Sequence, residues 1–454
     1  MIALAASFGL HAHRAANPTT SYQSADERSY GKLAITIAEH GTYGDASMSE
    51  PLHWPPGAPM LFAAGHRLFG SERSLETYDL PVAYWLHAVL GVGTALAAFA
   101  LAAALAGVWT GVAAATLVGL YPPLILATGE QVSEPLGAFL FTTAMAAFAL
   151  SARRSWTPGY AIAGALLGAT VLTRTDLLFV PGIVAALCFA FLWRRRQNPR
   201  RGLVVGGLVA VGAAAVMAPW VAYASVRADR FVPVTQGSAA PLFVGTYLPG
   251  DGHTVGMKRA LESEVKAFRP SLRDTPAFEI EAANYLDMIA ERHPDLTRDQ
   301  ALRKEARRNL VKYATEQPGA FAVMMADKVQ RMWTRYARGG ARPTSTPIRA
   351  WHLVLTAMGF AGLLLGVWRG RSVVLAAIGL AALYSTALHM LVVSQARYNL
   401  PLMPALIAGG LTGWVLWHRR RVGPRPCSDE TSPPASTPSR TRTQTGTSSP
   451  TATS

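Results

Sequence analysis

The stretch YWLHAVLGVGTALAAFALAAALAGVWTGVAAATLVGLYPPLIL, residues 84–126, contains no Asp, Glu, Lys or Arg. About 20 apolar residues cross the hydrocarbon core of a bilayer as a helix, so this stretch holds two helices back to back. A helix in a soluble core keeps a polar face, and none is available here. The texture recurs along the chain, with apolar runs at about 1–13, 80–104, 107–128, 135–152, 158–173, 177–193, 203–225, 349–367, 373–393 and 399–417. Half of the residues are hydrophobic and 15% are charged, against roughly 25% charged in an average soluble domain. The fold class is therefore all-α, a polytopic transmembrane helix bundle of about ten spans. The first run is too short to span fully, so either the true start lies upstream or that helix is frayed. A signal peptide is poorly supported, because no positive n-region precedes the run.

Working outward from the spans, the net charge of +15 has the size of a nucleic-acid footprint, but its distribution excludes one. The cations gather at span ends: Arg153-Arg154, Arg194-Arg195-Arg196 with Arg200-Arg201, Arg369 with Arg371, and Arg419-Arg420-Arg421. Short basic loops fix the orientation of a bilayer protein with those loops in the cytoplasm. On that rule residues 14–79, the Glu130–Glu134 turn, Arg174 to Asp176, the block 226–348 and Gln395 to Tyr398 face the exterior. The chain is thus expected in the cell membrane with the bilayer as its partner and no nucleic acid. Cys188 falls inside a span and Cys427 in the tail, so neither a disulfide framework nor a cysteine metal site is expected.

Four regions follow. Residues 1–225 form an N-terminal transmembrane module whose first outer loop is 14–79. Residues 226–348 form an external helical domain, in which Met257, Leu261, Val265 and Phe268, then Leu302, Ala306, Leu310 and Tyr313, repeat at helical spacing. A third stripe, Phe321, Met325, Val329 and Met332, follows Pro318, which should end or kink the helix before it. Residues 349–420 carry the C-terminal transmembrane helices. Residues 421–454, rich in Ser, Thr and Pro, are expected to form a disordered cytoplasmic tail.

Ionisable groups at a membrane boundary are expensive to keep dry, so their positions are informative. On the outer side Asp26 and Glu27 lie in the first loop, just before the amphipathic segment Tyr30 to Glu39. Glu130 and Glu134 flank the next outer turn, Arg174 closes the third, and Arg397 and Tyr398 mark the last. Carboxylates and arginines on one face suit a reaction with a proton to remove and an anionic leaving group. The chain has no Walker-type loop and no Gly-X-Gly-X-X-Gly between a strand and a helix, which disfavours a nucleotide donor. It also lacks Asp-X-Asp and His-Glu-X-X-His.

The first outer loop reads Ser24-Ala-Asp-Glu-Arg-Ser-Tyr30, then Gly41-Thr-Tyr43 and Trp54-Pro-Pro-Gly57, before an apolar stretch ending at Gly70. Further along come Tyr121-Pro-Pro with Ser133-Glu134-Pro135, Gly164 to Gly168 with Leu172-Thr-Arg174, and Ala218-Pro-Trp220. A Gly-rich stretch from Thr235 to Gly245 follows, and Ala396-Arg-Tyr398-Asn-Leu-Pro401 with Pro404 opens the last helix. In order and spacing this set, from residue 21 to about 415, resembles the C-type (GT-C) glycosyltransferases. It is most similar to bacterial relatives of protein O-mannosyltransferases and aminoarabinose transferases. The resemblance implies a transferase moving a hexosyl or pentosyl group from a polyprenyl-phosphate sugar donor to an envelope acceptor on the outer face. That acceptor is a protein, a glycolipid or a polysaccharide. It also implies two juxtamembrane helices in the first loop, at Tyr30 to His40 and about Pro59 to Phe69. Carried over, Asp26 is the first-loop base or acceptor-orienting acid, Glu27 completes its Asp-Glu pair, and Glu134 is the second acidic site. Arg397 is the late arginine that contacts the donor phosphate, with help from Arg174. From their own position on the outer side, Tyr398 joins the phosphate set, and His53, Trp54 and Glu130 are candidates for the substrate side. No cofactor is required outright. The resemblance leaves room for one divalent cation, Mg or Mn, on Asp26 and Glu134.

Plainer readings stand beside these. Asp26 could cap the following helix, and Glu134 before Pro135 could simply complement a helix dipole. Glu130 could be a solvated loop charge, Arg174 could snorkel to head groups, and His53 with Trp54 could be an interfacial belt. Two other classes compete with an enzyme. A secondary transporter would keep polar groups at the midplane of repeated halves. A non-catalytic membrane subunit of cell-envelope polymer assembly would have no need of the rim carboxylates.

Overall fold

The computed structural model describes residues 2–18, 25–44, 48, 51–70, 78–194, 199–335, 346–370 and 372–421. The tail from 422 onward, with Cys427, lies outside the described residues, as do Ser24, Arg195, Arg196 and Arg371. Among the described residues the chain is helical and contains no strand.

Helix α1 (Ile2–Ala16) leads to two short helices of the first loop, α2 (Ala25–His40) and α3 (Gly57–Phe69). They match the pair expected there, but α2 begins several residues before Tyr30. A long helix α4 (Pro81–Ala106) turns at Gly107 into α5 (Val108–Gly119), and the Pro122-Pro123 pair then starts a separate turn, α6 (Pro122–Ala127). There follow α7 (Glu134–Arg154), α8 (Pro158–Thr173), α9 (Val180–Arg194) and α10 (Pro199–Ala228). Proline opens α4, α6, α7 and α8 at the first positions, where its missing N–H costs nothing.

The middle of the chain folds into α11 (Ala239–Thr246), α12 (Thr254–Ala260), α13 (Glu262–Phe268), α14 (Ala282–Ala290), α15 (Arg298–Glu316) and α16 (Pro318–Thr334). Phe243, Met257, Leu261, Val265, Tyr285 and Leu302 bury one another in a core distinct from that of the long helices. The stripes from 257 and 302 are the buried faces, and Pro318 does separate α15 from α16. The first stripe is not one continuous helix, since Leu261 leaves helical geometry between α12 and α13. The chain returns through α17 (Thr346–Gly370), α18 (Val373–Leu391) and α19 (Met403–Arg421).

All ten apolar runs are helical, and five helices, α4, α7, α10, α17 and α18, are long and apolar enough to cross a membrane. The chain is a membrane protein. Many of its outward-facing side chains are large and apolar, including Trp109, Val226, Leu364, Trp368 and Leu383, as a lipid-facing surface requires. Glycine sets the closest approaches, as in other membrane bundles. Gly164 and Gly168 of α8 lie against the backbone of α10, and Gly362 of α17 against Gly410 and Gly413 of α19. In the first loop, Gly31 lets α2 sit directly on the Tyr78 carbonyl and the Gln131 side chain, which fixes the register of its acidic first turn.

Candidate active site

Four chain segments meet at one end of the bundle. The first turn of α2 carries Asp26, the start of α7 Glu134, the end of α8 Arg174, and a 3-10 turn at Ala396–Asn399 carries Arg397. The Arg397 guanidinium donates from Nη2 to Asp26 Oδ2, and its Nε lies 3.5 Å from Glu134 Oε1. The same Glu134 oxygen accepts from Arg174 Nη1 at 3.0 Å. Glu134 is thus the hinge between two guanidiniums. Its side chain is only 2% exposed, and its second oxygen, Oε2, is buried with no hydrogen-bond partner among the described residues.

Arg174 is held from behind by Asp176 in a two-pronged contact, Nε to Oδ1 at 3.0 Å and Nη2 to Oδ2 at 3.1 Å. This planar fork matches a carboxylate edge and fixes the guanidinium in orientation. Arg174 is buried and does not reach toward head groups. Burial pushes the Asp176 carboxyl up, but the Arg174 guanidinium, helped by His389, outweighs it and holds the group below its ordinary value. Burial likewise opposes charge on Arg397 and Arg174. The neighbouring carboxylates more than offset it, Asp26 first for Arg397 and Asp176 first for Arg174, and both groups stay firmly protonated. The Tyr398 ring lies 5.3 Å from the Arg174 guanidinium and 5.8 Å from that of Arg397, and burial pushes its hydroxyl up to about 12. The His389 ring lies tilted against Tyr398, centroids 4.8 Å apart, and its Nε2 is 3.8 Å from Asp176 Oδ2.

The remaining expected residues are spread around this cluster. Asp26 sits inside the first turn of α2 and its carboxylate goes to Arg397, so it does not act as the helix cap. Glu27 is turned away, accepting the Gln131 N–H at 3.2 Å. His53 and Trp54 pack edge to face at 4.9 Å, and Trp54 meets Tyr30 at 5.4 Å. The Tyr30 hydroxyl in turn reaches Ser133 Oγ, 3.3 Å away and next to Glu134. Glu130 is partly exposed on the turn before α7. Reading the sequence alone missed Asp176, His389, Ser133 and Gln395, whose Oε1 accepts from Arg397 Nε at 3.0 Å. The first could have been found from its place two residues beyond Arg174, across the turn Thr175–Leu177.

A divalent cation on Asp26 and Glu134 is tested by the same geometry. Both carboxylates already share the Arg397 guanidinium, and Glu134 also holds Arg174. No cluster of three His, Cys, Asp or Glu fit to hold a metal ion occurs among the described residues. With Arg397 seated, these donors do not fit a divalent ion, because a guanidinium occupies the position between them.

The helical fold is similar to that of solved oligosaccharyltransferases. The archaeal oligosaccharyltransferase AglB from Archaeoglobus fulgidus, in complex with an inhibitory peptide and a dolichol-phosphate, aligns with a TM-score of 0.53. Identity is 16% over 93% of this chain and 52% of that one, so the chain spans about half the length of the archaeal enzyme. An Archaeoglobus fulgidus oligosaccharyltransferase in complex with Zn and sulfate aligns at 0.50, with 16% identity over 90% of this chain and 48% of that one. ArnT from Cupriavidus metallidurans, bound to undecaprenyl phosphate, superposes less closely, with a TM-score of 0.42 and 16% identity over 91% and 77% of the two chains. The sequence matches no family model and no curated protein.

Proposed function

We propose that this protein is a membrane glycosyltransferase that moves a hexosyl or pentosyl group from a polyprenyl-phosphate donor to an acceptor on the outer face of the cell membrane. The observation that carries this reading is the convergence of two guanidiniums on one carboxylate, Glu134, with Asp26 paired to the Arg397 guanidinium, from four segments far apart in sequence. The fold supports it, because a structure with this architecture holds a dolichol-phosphate. The bundle would cross the bilayer about ten times, with the shorter helices completing the five long ones. Residues 226–348 would face outward beside the first loop and contribute to acceptor choice.

In this mechanism the donor phosphate takes the Arg397 fork and displaces Asp26 from it. Arg174, braced by Asp176, meets the phosphate from the other side, and the Tyr398 ring lies across both cations. The acceptor hydroxyl attacks the anomeric carbon, its proton passes to the released Asp26 carboxylate, and the carbon–oxygen bond to phosphate breaks. The electron pair leaves with the polyprenyl phosphate, whose added negative charge the two guanidiniums stabilise. One base and one departing phosphate require no covalent intermediate, so the anomeric centre inverts. Glu134 holds both arginines in register. Glu27 braces the α2 turn through Gln131, and His53, Trp54 and Glu130 line the approach of the sugar or acceptor.

The test is a panel of labelled polyprenyl-phosphate sugars offered to the protein in nanodiscs, with envelope extract as acceptor and with or without a chelator. Wild type should release sugar from one donor. Asp26→Asn should lose about 100-fold or more of that rate, the usual contribution of a positioned base. Equal turnover in wild type and Asp26→Asn would remove the base assigned here. Chelation that abolishes turnover would put a metal into the active state.

A further inference from the structure

Lys328 in α16 is fully buried, a place where lysine is almost never found unless paired. Its Nζ donates to two backbone carbonyls, Gly245 O at 2.8 Å and Met390 O at 2.6 Å. These are the penultimate residues of α11 and α18. The last four carbonyls of a helix have no partner within it and carry its negative end, so one amine caps two helices at once. Burial, with Arg331 nearby, pulls the Lys328 pKa down to about 7. The neutral amine still has N–H groups for both carbonyls, so the contact survives in either state.

The backbone of α16 then holds the segment that follows α18. The Lys328 carbonyl accepts from Ser394 Oγ at 3.0 Å, and one turn later the Met332 carbonyl accepts from Asn399 Nδ2 at 2.5 Å. These two anchors bracket Arg397. From the other side, Val393 N–H donates to the Pro241 carbonyl of α11 at 2.9 Å. The path of the lysine is kept clear by Gly252, at φ +59°, where a Cβ would lie 2.9 Å from Lys328 Cδ and 2.9 Å from the Gly245 carbonyl.

We propose that Lys328 is a positioning residue for the phosphate site, setting the place of Arg397 by joining α11, α16 and α18 behind the segment 392–399. The inference rests on the reading that Arg397 binds a polyprenyl phosphate. A purely structural lysine would weaken binding whether or not Arg397 is present, whereas a positioning lysine acts only through it.

Titration of undecaprenyl phosphate into the full chain in nanodiscs separates the two, using Lys328→Met, Lys328→Arg, Arg397→Ala and the Lys328→Met/Arg397→Ala double variant. Thermal midpoints verify that each is folded. Lys328→Met should weaken binding about tenfold, the scale of a lost charge-assisted hydrogen bond, and Lys328→Arg should restore part of it. In the Arg397→Ala background the same change should shift binding less than about twofold, as coupled sites require. Equal losses in both backgrounds, or unchanged binding in Lys328→Met, would overturn the proposal. If Lys328→Met does not fold, Gly252→Ala, which crowds the lysine without removing it, takes its place in the same cycle and is judged the same way. Wild type that binds no polyprenyl phosphate would sink the reading of Arg397 and this proposal with it. Binding lost in Arg397→Ala but intact in Lys328→Met would sink the proposal alone.

Discussion

Glu134 carries more of the site than its short side chain suggests. It is buried, one of its oxygens serves both Arg174 and Arg397, and removing its charge would leave two guanidiniums facing each other with Asp26 and Asp176 outside them. Breaking a buried ion pair on one side costs roughly 3–5 kcal/mol because the stranded charge is not resolvated. Glu134→Gln should therefore lower the thermal midpoint clearly in detergent. Glu262→Gln, which breaks the half-exposed pair with Lys266, should cost less than about 1 kcal/mol. Equal shifts for the two would mean that the Glu134 cluster is solvated. The members of this cluster were legible to different degrees. Asp26, Glu134, Arg174 and Arg397 stand out because charge at the ends of apolar runs needs a reason. Asp176 shares that position, but its role became visible only through the fork it offers Arg174. His389 lies within an apolar run, and nothing in one-dimensional spacing shows that its ring faces Asp176 across the bundle.

Elements were legible where periodicity or apolar length decided them. The ten apolar runs are helical, and within a bilayer a helix is the structure that pairs a segment's amides internally. Their ends were less legible, because local contacts set them. The run at 107–128 breaks at Leu120, where the proline pair begins a new turn, and the stripe from Met257 breaks at Leu261. The placement of α2 is tertiary as well, resting on Gly31 against the Tyr78 carbonyl and Gln131. Gly31→Ala should push α2 off this seat and carry Asp26 with it. Arg174 and Arg397 sit on other elements, so the loss should fall on the rate of sugar transfer, by about 100-fold for a displacement near 1 Å. Binding of polyprenyl phosphate should stay within a few-fold of wild type. Gly379→Ala, where a methyl meets open space, is the control. A Gly31→Ala protein that transfers sugar at the wild-type rate would show that α2 does not position the base.

At the scale of the whole molecule, the site fixes which span ends share a face. Glu134 opens α7 and Arg174 closes α8, and they touch at 3.0 Å. The Arg153-Arg154 pair ends the 21-residue α7, about 30 Å away along the helix axis. The site and the arginine-rich turn are therefore at opposite ends of the bundle, as charge bias along the sequence leads one to expect. The proposed chemistry requires the end that carries the carboxylates and arginines to face the exterior. Single cysteines at Thr157, beside the arginine-rich turn, and at Asp274, on the exposed surface of the 226–348 block, can be probed with a membrane-impermeant maleimide. Cys188 is buried and can stay, with Cys427 replaced by serine. In intact spheroplasts Asp274→Cys should label and Thr157→Cys should not, and permeabilisation should expose Thr157→Cys. The reverse pattern would put the carboxylates and arginines on the cytoplasmic side. A water-soluble activated sugar could reach them there, and the argument for a lipid-borne donor and an outer-face acceptor would fail.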